Sequence, residues 1–534
     1  MDGAKRNPSI GGRSVYGRKG MVCTSQNLAA QAGLDILKRG GNAVDAAVAT
    51  AICLTVTEPV SNGIGGDAFA LVWTEGKLHG LNASGPAPAS IDAAAVRAAG
   101  YEKIPEEGWI PVTVPGAPSA WKALSERFGR LPFENLFEAA VQYALEGFPV
   151  SPVVARAWQK SDADYREKYG QDDLFAEWFR IFAPKGRAPR EGELWNSPFH
   201  GATLQELAQT GCESFYRGRL ADVIHDHAVK TGGFLRKSDL AAFRPKWVEP
   251  VSVSYRGYDV WEIPPNGHGI VALMALNILK QFNLEGLDEE ERMHLEMEAV
   301  KLAFADGKHY IADPACAEVP TDALLNEEYG RSRADLIGRE ALEPLHGDPS
   351  CKGTVYLCTA DGEGNMVSYI QSNYCGFGSG IVVPDTGIAL HDRGANFSLE
   401  KGAANELAPG KRPYHTIIPG FLTQNGRAVG PFGVMGAFMQ PQGHVQVLVN
   451  MLDRHMNPQA ALDEPRWQWI GGKKVEMEGS QPSGLVEAMQ NRGHEITVVD
   501  EPSGFGRGQI IRRRQDGCLE AGTEPRADGC AAAW

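Results

Sequence analysis

Thr354 is the residue of this chain whose surroundings best suit catalysis. It follows a charged, turn-rich stretch at residues 340–353 and opens a run with a strand-like alternation of side chains. If the peptide bond before it were cut, the new α-amino group would lie beside the hydroxyl of the same residue. An α-amine has an unperturbed pKa of about 7.7 to 8.0, so it can take the hydroxyl proton near neutral pH without a histidine. One residue would then supply both the nucleophile and the base.

Gly353 suits a cut at this position. The Thr354 hydroxyl could attack the Gly353 carbonyl in the uncut chain, and water would resolve the resulting ester into two subunits. A glycine leaves that carbonyl sterically open. The alternative interpretation is structural, because threonine begins strands for reasons of propensity alone. The two residues by themselves leave both interpretations open.

A β-hairpin is predicted to hold Thr354. Residues 354–360 have the period of a strand, residues 361–365 are a turn signal, and residues 366–372 form the returning strand. Further strands are predicted at residues 381–383, 416–421 and 427–433, and further helices at residues 442–452 and 458–462.

Buried helices and a glycine-rich loop precede this hairpin. Residues 25–57 are rich in Ala, Leu, Ile and Val and are broken by the turn at residues 39–42, which predicts two buried helices. A glycine-rich loop at residues 61–67 then leads into a strand at residues 68–73. It lacks the Lys-Ser/Thr pair of a P-loop and enters a strand, so close backbone packing is favoured over nucleotide binding.

Composition and charge narrow the class of protein. The chain has 534 residues, 43% of them hydrophobic and 22% charged, which is typical of a large globular protein. The net charge of −14 argues against nucleic acid and anionic membrane surfaces as partners. The first twenty residues contain no apolar run of signal-peptide length, so we expect a cytoplasmic protein. The nine cysteines form no C-x-x-C pair and are expected to be free thiols, and no metal or cofactor motif is present.

Several separated stretches resemble the γ-glutamyltransferase family of N-terminal-nucleophile hydrolases, in the same order along the chain. These stretches are residues 37–47, 63–67, 114–116, 264–267, 313–314, 353–354, 377–380, 411–413 and 463–466. Each motif is short, but the ordered set spans roughly residues 15 to 534. The resemblance implies an α+β fold, a four-layer αββα sandwich. It also implies self-cleavage between Gly353 and Thr354 into a large subunit, residues 1–353, and a small subunit, residues 354–534, which form one intertwined domain.

The resemblance also assigns catalytic roles. Thr354 falls at the nucleophile position of the family, and Ser372 falls where a second hydroxyl group hydrogen-bonds the nucleophile. Gly436 and Ala437 fall where backbone N–H groups bind the tetrahedral oxyanion, although the usual pair there is Gly-Gly. The alternative for Ser372 is an ordinary serine in a strand.

The predicted substrate-binding residues depart from the family pattern. An arginine that holds the α-carboxylate of γ-glutamyl substrates falls at about Ser84, a Ser-Ser pair aligns with His415 and Thr416, and an aspartate that holds the α-amine is replaced by Asn396. Arg393 is new beside that site and is predicted either to clamp a substrate carboxylate or simply to be solvated. The full predicted set is Ser84, Asn373, Tyr374, Arg393, Asn396, His415 and Thr416.

The resemblance implies hydrolysis of γ-glutamyl or related small amides, with glutathione as the leading named substrate. Hydrolysis is favoured over transfer because residues 398–411 are shorter than the lid of many transferase members. The alternatives are an acylase for acids that lack an α-amine, such as glutaryl or oxamate-type amides, and an uncleaved, inactive relative that acts as a binding protein. The expected partners are the two subunits of one precursor and a small amide, and a dimer of processed heterodimers is left open.

A cysteine nucleophile at Cys351, Cys358 or Cys375 is disfavoured, because none has a recognisable catalytic context.

Overall fold

The structure is a computed structural model that describes residues 12–344 and 354–534. Its strands are β1 (Val15–Gly17), β2 (Gly20–Thr24), β3 (Asp67–Thr74), β4 (Lys77–Ala83), β5 (Phe148–Pro149), β6 (Leu194–Trp195), β7 (Lys246–Val248), β8 (Val251–Tyr255), β9 (Tyr258–Glu262), β10 (Val355–Asp361), β11 (Met366–Ser372), β12 (Gly420–Gln424), β13 (Arg427–Met435), β14 (Trp467–Gly471), β15 (Lys474–Glu478), β16 (Glu495–Val499), β17 (Arg507–Arg513), β18 (Leu519–Thr523) and β19 (Cys530–Ala533).

The helices of the described residues are α1 (Asn27–Lys38), α2 (Ala43–Thr57), α3 (Ala93–Ala98), α4 (Ala117–Phe128), α5 (Glu138–Glu146), α6 (Pro152–Tyr169), α7 (Ala176–Phe182), α8 (Pro198–Thr210), α9 (Glu213–Tyr216), α10 (Arg219–Lys230), α11 (Lys237–Ala242), α12 (Gly269–Leu279), α13 (Glu289–Tyr310), α14 (Thr321–Leu324), α15 (Glu327–Ala334), α16 (Met439–Leu452), α17 (Pro458–Asp463) and α18 (Ser483–Asn491). None of the helices described here is long and apolar enough to cross a membrane.

Two seven-stranded sheets form the centre of the molecule. The first sheet has the strand order β19-β2-β10-β11-β3-β4-β7, and the second has the order β1-β18-β17-β13-β12-β9-β8. Side chains such as Tyr356, Phe69 and Phe421 fill the space between the two sheets. Helices α1 and α2 cover the outer face of the first sheet, and α12 and α16 cover that of the second. The predicted four-layer αββα sandwich is confirmed.

The helix pair next to the first sheet follows the sequence prediction. Asn42 caps α2 by accepting hydrogen bonds from the N–H groups of Val44 and Asp45, and the Asp45 carboxylate accepts the Asn42 N–H in return. This capping box satisfies N–H groups that a helix start leaves without partners. Every residue of α2 is buried, as its all-round apolar sequence predicts.

The hairpin of β10 and β11 lies in the middle of the first sheet, where β11 has the predicted bounds and β10 begins and ends one residue later than predicted. Val355 pairs with Gln371, so the residue before β10 lies level with the end of β11. The turn is fixed by Asp361, which accepts the N–H groups of Glu363, Gly364 and Asn365 at 2.9 to 3.0 Å. The hairpin therefore has a single register, and that register places Thr354 beside Ser372.

The glycine-rich loop packs backbone against backbone, as predicted. A Cβ atom on Gly65 would lie 2.3 Å from the carbonyl oxygen of Ala389, and one on Gly66 would lie 2.6 Å from that of Ser372. Neither distance is compatible with a side chain. The loop thereby brings Asp67, the first residue of β3, into register with Ser372 on β11.

Three local predictions need correction. Residues 381–383 form no strand, and only an isolated bridge joins Val382 to Ala389. The strand predicted at residues 416–421 begins only at Gly420. Cys375 is disulfide-bonded, so the free-thiol prediction is wrong at that position, although seven other described cysteines are free. Predictions for Cys351 and for Gly353 lie outside the described residues.

Candidate active site

The hydroxyl groups of Thr354 and Ser372 lie together at the head of the hairpin. Their oxygen atoms are 3.0 Å apart, and either can donate. The backbone N–H of Tyr374 also donates to the Ser372 oxygen, at 2.7 Å. Both hydroxyl residues are fully buried. The geometry is therefore that of a positioned hydroxyl pair.

The predicted oxyanion loop joins strand β13 to helix α16. Gly436 has a φ of 135° and Ala437 a φ of 49°, so both residues lie in the region that favours glycine. The loop precedes Met439, the first residue of α16, and the amino end of a helix carries a partial positive charge. Ala437 adopts the left-handed conformation despite its side chain, so the departure from Gly-Gly leaves the backbone turn in place.

Asp67 is the centre of a buried charge cluster, the Asp67 cluster, formed by Asp67, His391, Arg393, His415 and Thr416. The Arg393 guanidinium donates to both Asp67 carboxylate oxygens, at 2.9 and 3.2 Å, and to the Thr416 hydroxyl at 2.7 Å. Nε2 of His415 and Nδ1 of His391 lie 2.7 and 3.2 Å from the same carboxylate. All five side chains are essentially inaccessible to solvent.

The electrostatics of the cluster follow from this geometry. Burial alone would raise the pKa of Asp67, but Arg393 and the two histidines outweigh it and hold that pKa well below its usual range. Burial, reinforced by Arg393, lowers the pKa of His415 to about 4. The cluster therefore contains a carboxylate, a guanidinium and a neutral His415 at neutral pH.

This arrangement bears on two predictions for Arg393. The idea that it is solvated is wrong, because the residue is fully buried. Its role as a clamp for a substrate carboxylate stays a prediction that the geometry opposes, since Asp67 already neutralises the guanidinium. The sequence analysis did not single out Asp67 as a partner, although it belongs to the glycine-loop motif that carries the resemblance.

The other predicted substrate-binding residues lie around the same hairpin. Tyr374 has a φ of 77°, stacks against the Arg393 guanidinium and donates its hydroxyl to the Asn396 side chain at 2.8 Å. Ser84 donates to Asn82 and accepts from Asn266, so its hydroxyl is used within the protein. The structure thus brings Tyr374, Asn396 and Arg393 together and places Ser84 in a separate hydrogen-bond network.

Asn373 differs from these residues because its side chain has no hydrogen-bond partner among the described residues. Both polar atoms of its side-chain amide are buried and lack a hydrogen bond among the described residues. Buried amides are normally satisfied, so an orphan of this kind next to Ser372 is a candidate for binding substrate. Its predicted role stays open and is consistent with this geometry.

A cavity of about 1580 Å³ opens beside the oxyanion loop. Its wall includes Met435, Gly436, Ser61 and Ser503, together with the side chain of Arg507. Arg507 was missed by the sequence analysis. No local pattern marks it, since its surroundings come from segments far apart in the chain.

One group of described residues has the composition of a metal site. His294, Glu298 and His494 are buried within reach of a common ion. Lys301, however, donates to Glu298 at 2.7 Å, to Nδ1 of His494 at 3.2 Å and to the Leu342 carbonyl at 3.3 Å. Its ammonium group supplies the positive charge and uses all three of its donors, so these residues are satisfied without a metal.

Comparisons with known proteins agree with the fold. Residues 29–534 match the family model described as Gamma-glutamyltranspeptidase. The chain is 36% identical over 530 residues to the glutathione hydrolase-like YwrD proenzyme of Bacillus subtilis, covering 97% of this chain and 99% of that protein. It is 33% identical to the oxamate amidohydrolase proenzyme of Klebsiella pneumoniae, covering 96% and 98% of the two chains.

The crystal structure of a cephalosporin acylase from Bacillus halodurans is similar in both sequence and shape. The two chains are 57% identical, with a TM-score of 0.95 over 100% of this chain and 99% of the other. A family match over nearly the whole length, together with this structural agreement, shows the membership. The chain belongs to the γ-glutamyltranspeptidase family of N-terminal-nucleophile amidohydrolases.

Proposed function

We propose that the chain cleaves itself before Thr354 and that the resulting N-terminal threonine hydrolyses small amides. The 3.0 Å contact between the Thr354 and Ser372 hydroxyls is the observation that carries this proposal. It is supported by relatives that are named proenzymes and match over almost their entire length. The two subunits would be residues 1–353 and 354–534.

The mechanism follows from the site. The free α-amine of Thr354 takes the proton of its own hydroxyl, and the oxygen attacks the amide carbonyl. Backbone N–H groups of the Gly436–Ala437 loop receive the oxyanion, at the positive end of α16. One such donor contributes on the order of 10²- to 10³-fold to the rate in other hydrolases. The amine of the substrate takes up that proton and leaves, and water then hydrolyses the threonine ester by the same steps.

The acyl group that fits best lacks an α-amine. In the family that the chain resembles, an aspartate at the position of Asn396 holds that amine and a Ser-Ser pair at His415 and Thr416 holds the carboxylate. Here Thr416 and His415 are both engaged in the Asp67 cluster. Replacing a carboxylate by an amide opposite an ammonium removes a charge-assisted hydrogen bond of about 1.5 to 3 kcal/mol. The names of the oxamate amidohydrolase and cephalosporin acylase relatives agree with an acylase of this kind.

The nucleophile is tested with Thr354→Ala and Thr354→Ser. Purified wild-type protein should give two bands on a denaturing gel, and Thr354→Ala should give one full-length band without amidase activity. Thr354→Ser keeps a hydroxyl and should still split. A split and active Thr354→Ala variant would overturn the proposal.

The acyl group is tested with two anilides that differ only in the α-amine. Glutaryl-p-nitroanilide is γ-glutamyl-p-nitroanilide without that amine, so the ratio of their kcat/KM values isolates its effect. We expect the glutaryl compound to be the better substrate by about tenfold or more, the equivalent of one charge-assisted hydrogen bond. A preference for the γ-glutamyl compound would instead support a glutathione hydrolase.

A further inference from the structure

Arg507 stands directly beside the oxyanion loop. It is the first residue of β17 and pairs in register with Met435, the last residue of β13. Gly436 follows Met435 in the chain, and all three residues lie in the wall of the same cavity. Directly opposed residues of antiparallel strands have Cα atoms about 4.5 to 5.5 Å apart. The backbone of Arg507 therefore lies close to the loop that is predicted to receive the scissile carbonyl, and Arg507 lines the same cavity.

The hydrogen-bonding capacity of Arg507 is largely unused. Its side chain is about nine-tenths buried, and its Nε has no hydrogen-bond partner among the described residues. The recorded contact of the guanidinium is with the Glu58 carboxylate at 3.4 Å, beyond the usual 2.7 to 3.2 Å, and a guanidinium has about five N–H donors. A buried donor without an acceptor is costly, so this group is placed to meet an acceptor that comes from outside the protein.

Glu58 does not fully supply the acceptor that the Arg507 guanidinium lacks. Its two carboxylate oxygens already accept the hydroxyl groups of Ser25 and Ser61, at 2.5 and 3.0 Å. Burial raises the pKa of Glu58, and Arg507 only partly opposes this effect. The protein therefore offers Arg507 only a carboxyl group that two serine hydroxyls already engage.

Three other arginines differ from Arg507 in their exposure or in their partners. Arg526, in the cavity wall, is paired with Glu478 and Glu524 through close hydrogen bonds, and Arg156, also in that wall, is exposed. Arg393, in the Asp67 cluster, is neutralised by Asp67. Arg507 combines burial, missing partners and a position beside the oxyanion loop.

We propose that Arg507 binds a carboxylate on the acyl group of the substrate, so that the enzyme acts on monoamides of dicarboxylic acids. This inference rests on the proposed function, because it assumes that the Gly436–Ala437 loop receives the scissile carbonyl. The fork of the guanidinium matches a carboxylate, and desolvation in the cavity wall strengthens the pairing. Arg507 thereby takes the anchoring role that sequence reasoning assigned to Arg393.

The inference is tested by binding, which does not depend on turnover. The probe is the methyl ketone analogue of glutaramate, in which a methyl group replaces the amide nitrogen. The matched control is the same ketone with a methyl group in place of the carboxylate. Ligand-observed NMR titration of the purified wild-type enzyme should show binding of the carboxylate ketone about tenfold tighter than its control. Arg507→Gln should abolish that difference, and Arg156→Gln, which removes a charge from an exposed position of the same cavity, should retain it.

Equal binding of the two ketones by the wild type, or an undiminished difference in Arg507→Gln, would overturn the inference. A companion measurement compares kcat/KM for glutaryl- and valeryl-p-nitroanilide, and Arg507→Gln should reduce the preference for glutaryl by about tenfold or more. A loss shared equally by both anilides would mean that Arg507 acts on the oxyanion, which also overturns it. If the ketone binds as expected but neither anilide is hydrolysed, the proposed function fails and the carboxylate subsite stands.

Discussion

Arg393 and Arg507 are two buried arginines whose surroundings differ in the number of hydrogen-bond partners. Arg393 donates three hydrogen bonds of 2.7 to 3.2 Å, two of them to an ionised carboxylate. Among the described residues, the Arg507 guanidinium makes one hydrogen-bond contact, of 3.4 Å, to a carboxyl group whose pKa is raised by burial. The two guanidinium groups are chemically identical, so the difference lies in what the fold supplies around them.

This difference separates a structural charge from a functional one. A buried charge with a complete set of partners is stable in place and offers nothing to a ligand. A buried charge with missing partners carries a desolvation cost that a ligand can relieve. We therefore interpret the Asp67 cluster as part of the scaffold and Arg507 as part of the substrate site.

The largest expected effect comes from breaking the Asp67 cluster. Asp67→Asn leaves the buried Arg393 guanidinium without a counter-charge and should lower the free energy of unfolding by about 3 to 5 kcal/mol. Urea unfolding followed by tryptophan fluorescence would measure it. Asp164→Asn is the matched control, since Asp164 forms a half-exposed surface pair with Lys160 and should cost no more than about 0.5 kcal/mol. Similar losses in both variants would contradict the assignment of the cluster to the scaffold.

The second largest expected effect is a pH dependence of the free energy of unfolding, which His415 causes. Its pKa is lowered to about 4 in the folded protein, against an unperturbed value of about 6.5. Between these values the unfolded chain binds more protons than the folded one, so stability rises with pH and is lost as pH falls from about 6.5 toward 4. The full loss over that window corresponds to about 3 kcal/mol.

His415→Asn removes this titration while keeping a polar side chain of similar length. The wild type should lose about 2 kcal/mol more than the variant between about pH 7 and pH 5, as measured by urea unfolding at the two values. Other buried histidines titrate in both proteins and cancel in the comparison. An identical pH dependence in the two proteins would show that His415 does not contribute, and the cluster would then be held by Arg393 and Asp67 alone.

The hairpin and its register were predictable from the sequence, whereas the charge cluster was not. Strand alternation, the turn signal and the count of residues between Thr354 and Ser372 are local features, and they fix which residues lie opposite one another. The partners Asp67 and Arg393 are 326 positions apart in the chain, and only the packing of β3 beside β11 brings them together. The strand predicted at residues 381–383 was wrong, since among the described residues this apolar run makes only an isolated bridge, from Val382 to Ala389.

Arg507 also shows a limit of prediction from the sequence. Its neighbours are Glu58, which follows the end of α2, and Met435, the last residue of β13, and no local pattern connects these segments with residue 507. Sequence reasoning placed the anion-binding role on Arg393 because that residue lies next to an altered motif. What decides the role is the number of hydrogen-bond acceptors around each guanidinium, and that number exists only in the folded chain.

The smallest expected effect sharpens the comparison most directly, because the same substitution is made at both arginines. Arg507→Gln removes one weak contact and leaves Glu58 bonded to Ser25 and Ser61, so the free energy of unfolding should change by less than about 1 kcal/mol. Arg393→Gln leaves the buried Asp67 carboxylate without its main counter-charge and should cost about 3 to 5 kcal/mol. Urea unfolding near neutral pH, without ligand, measures both. If Arg507→Gln destabilised the protein as strongly as Arg393→Gln, Arg507 would be a structural cation too, because its contribution would not depend on a substrate carboxylate.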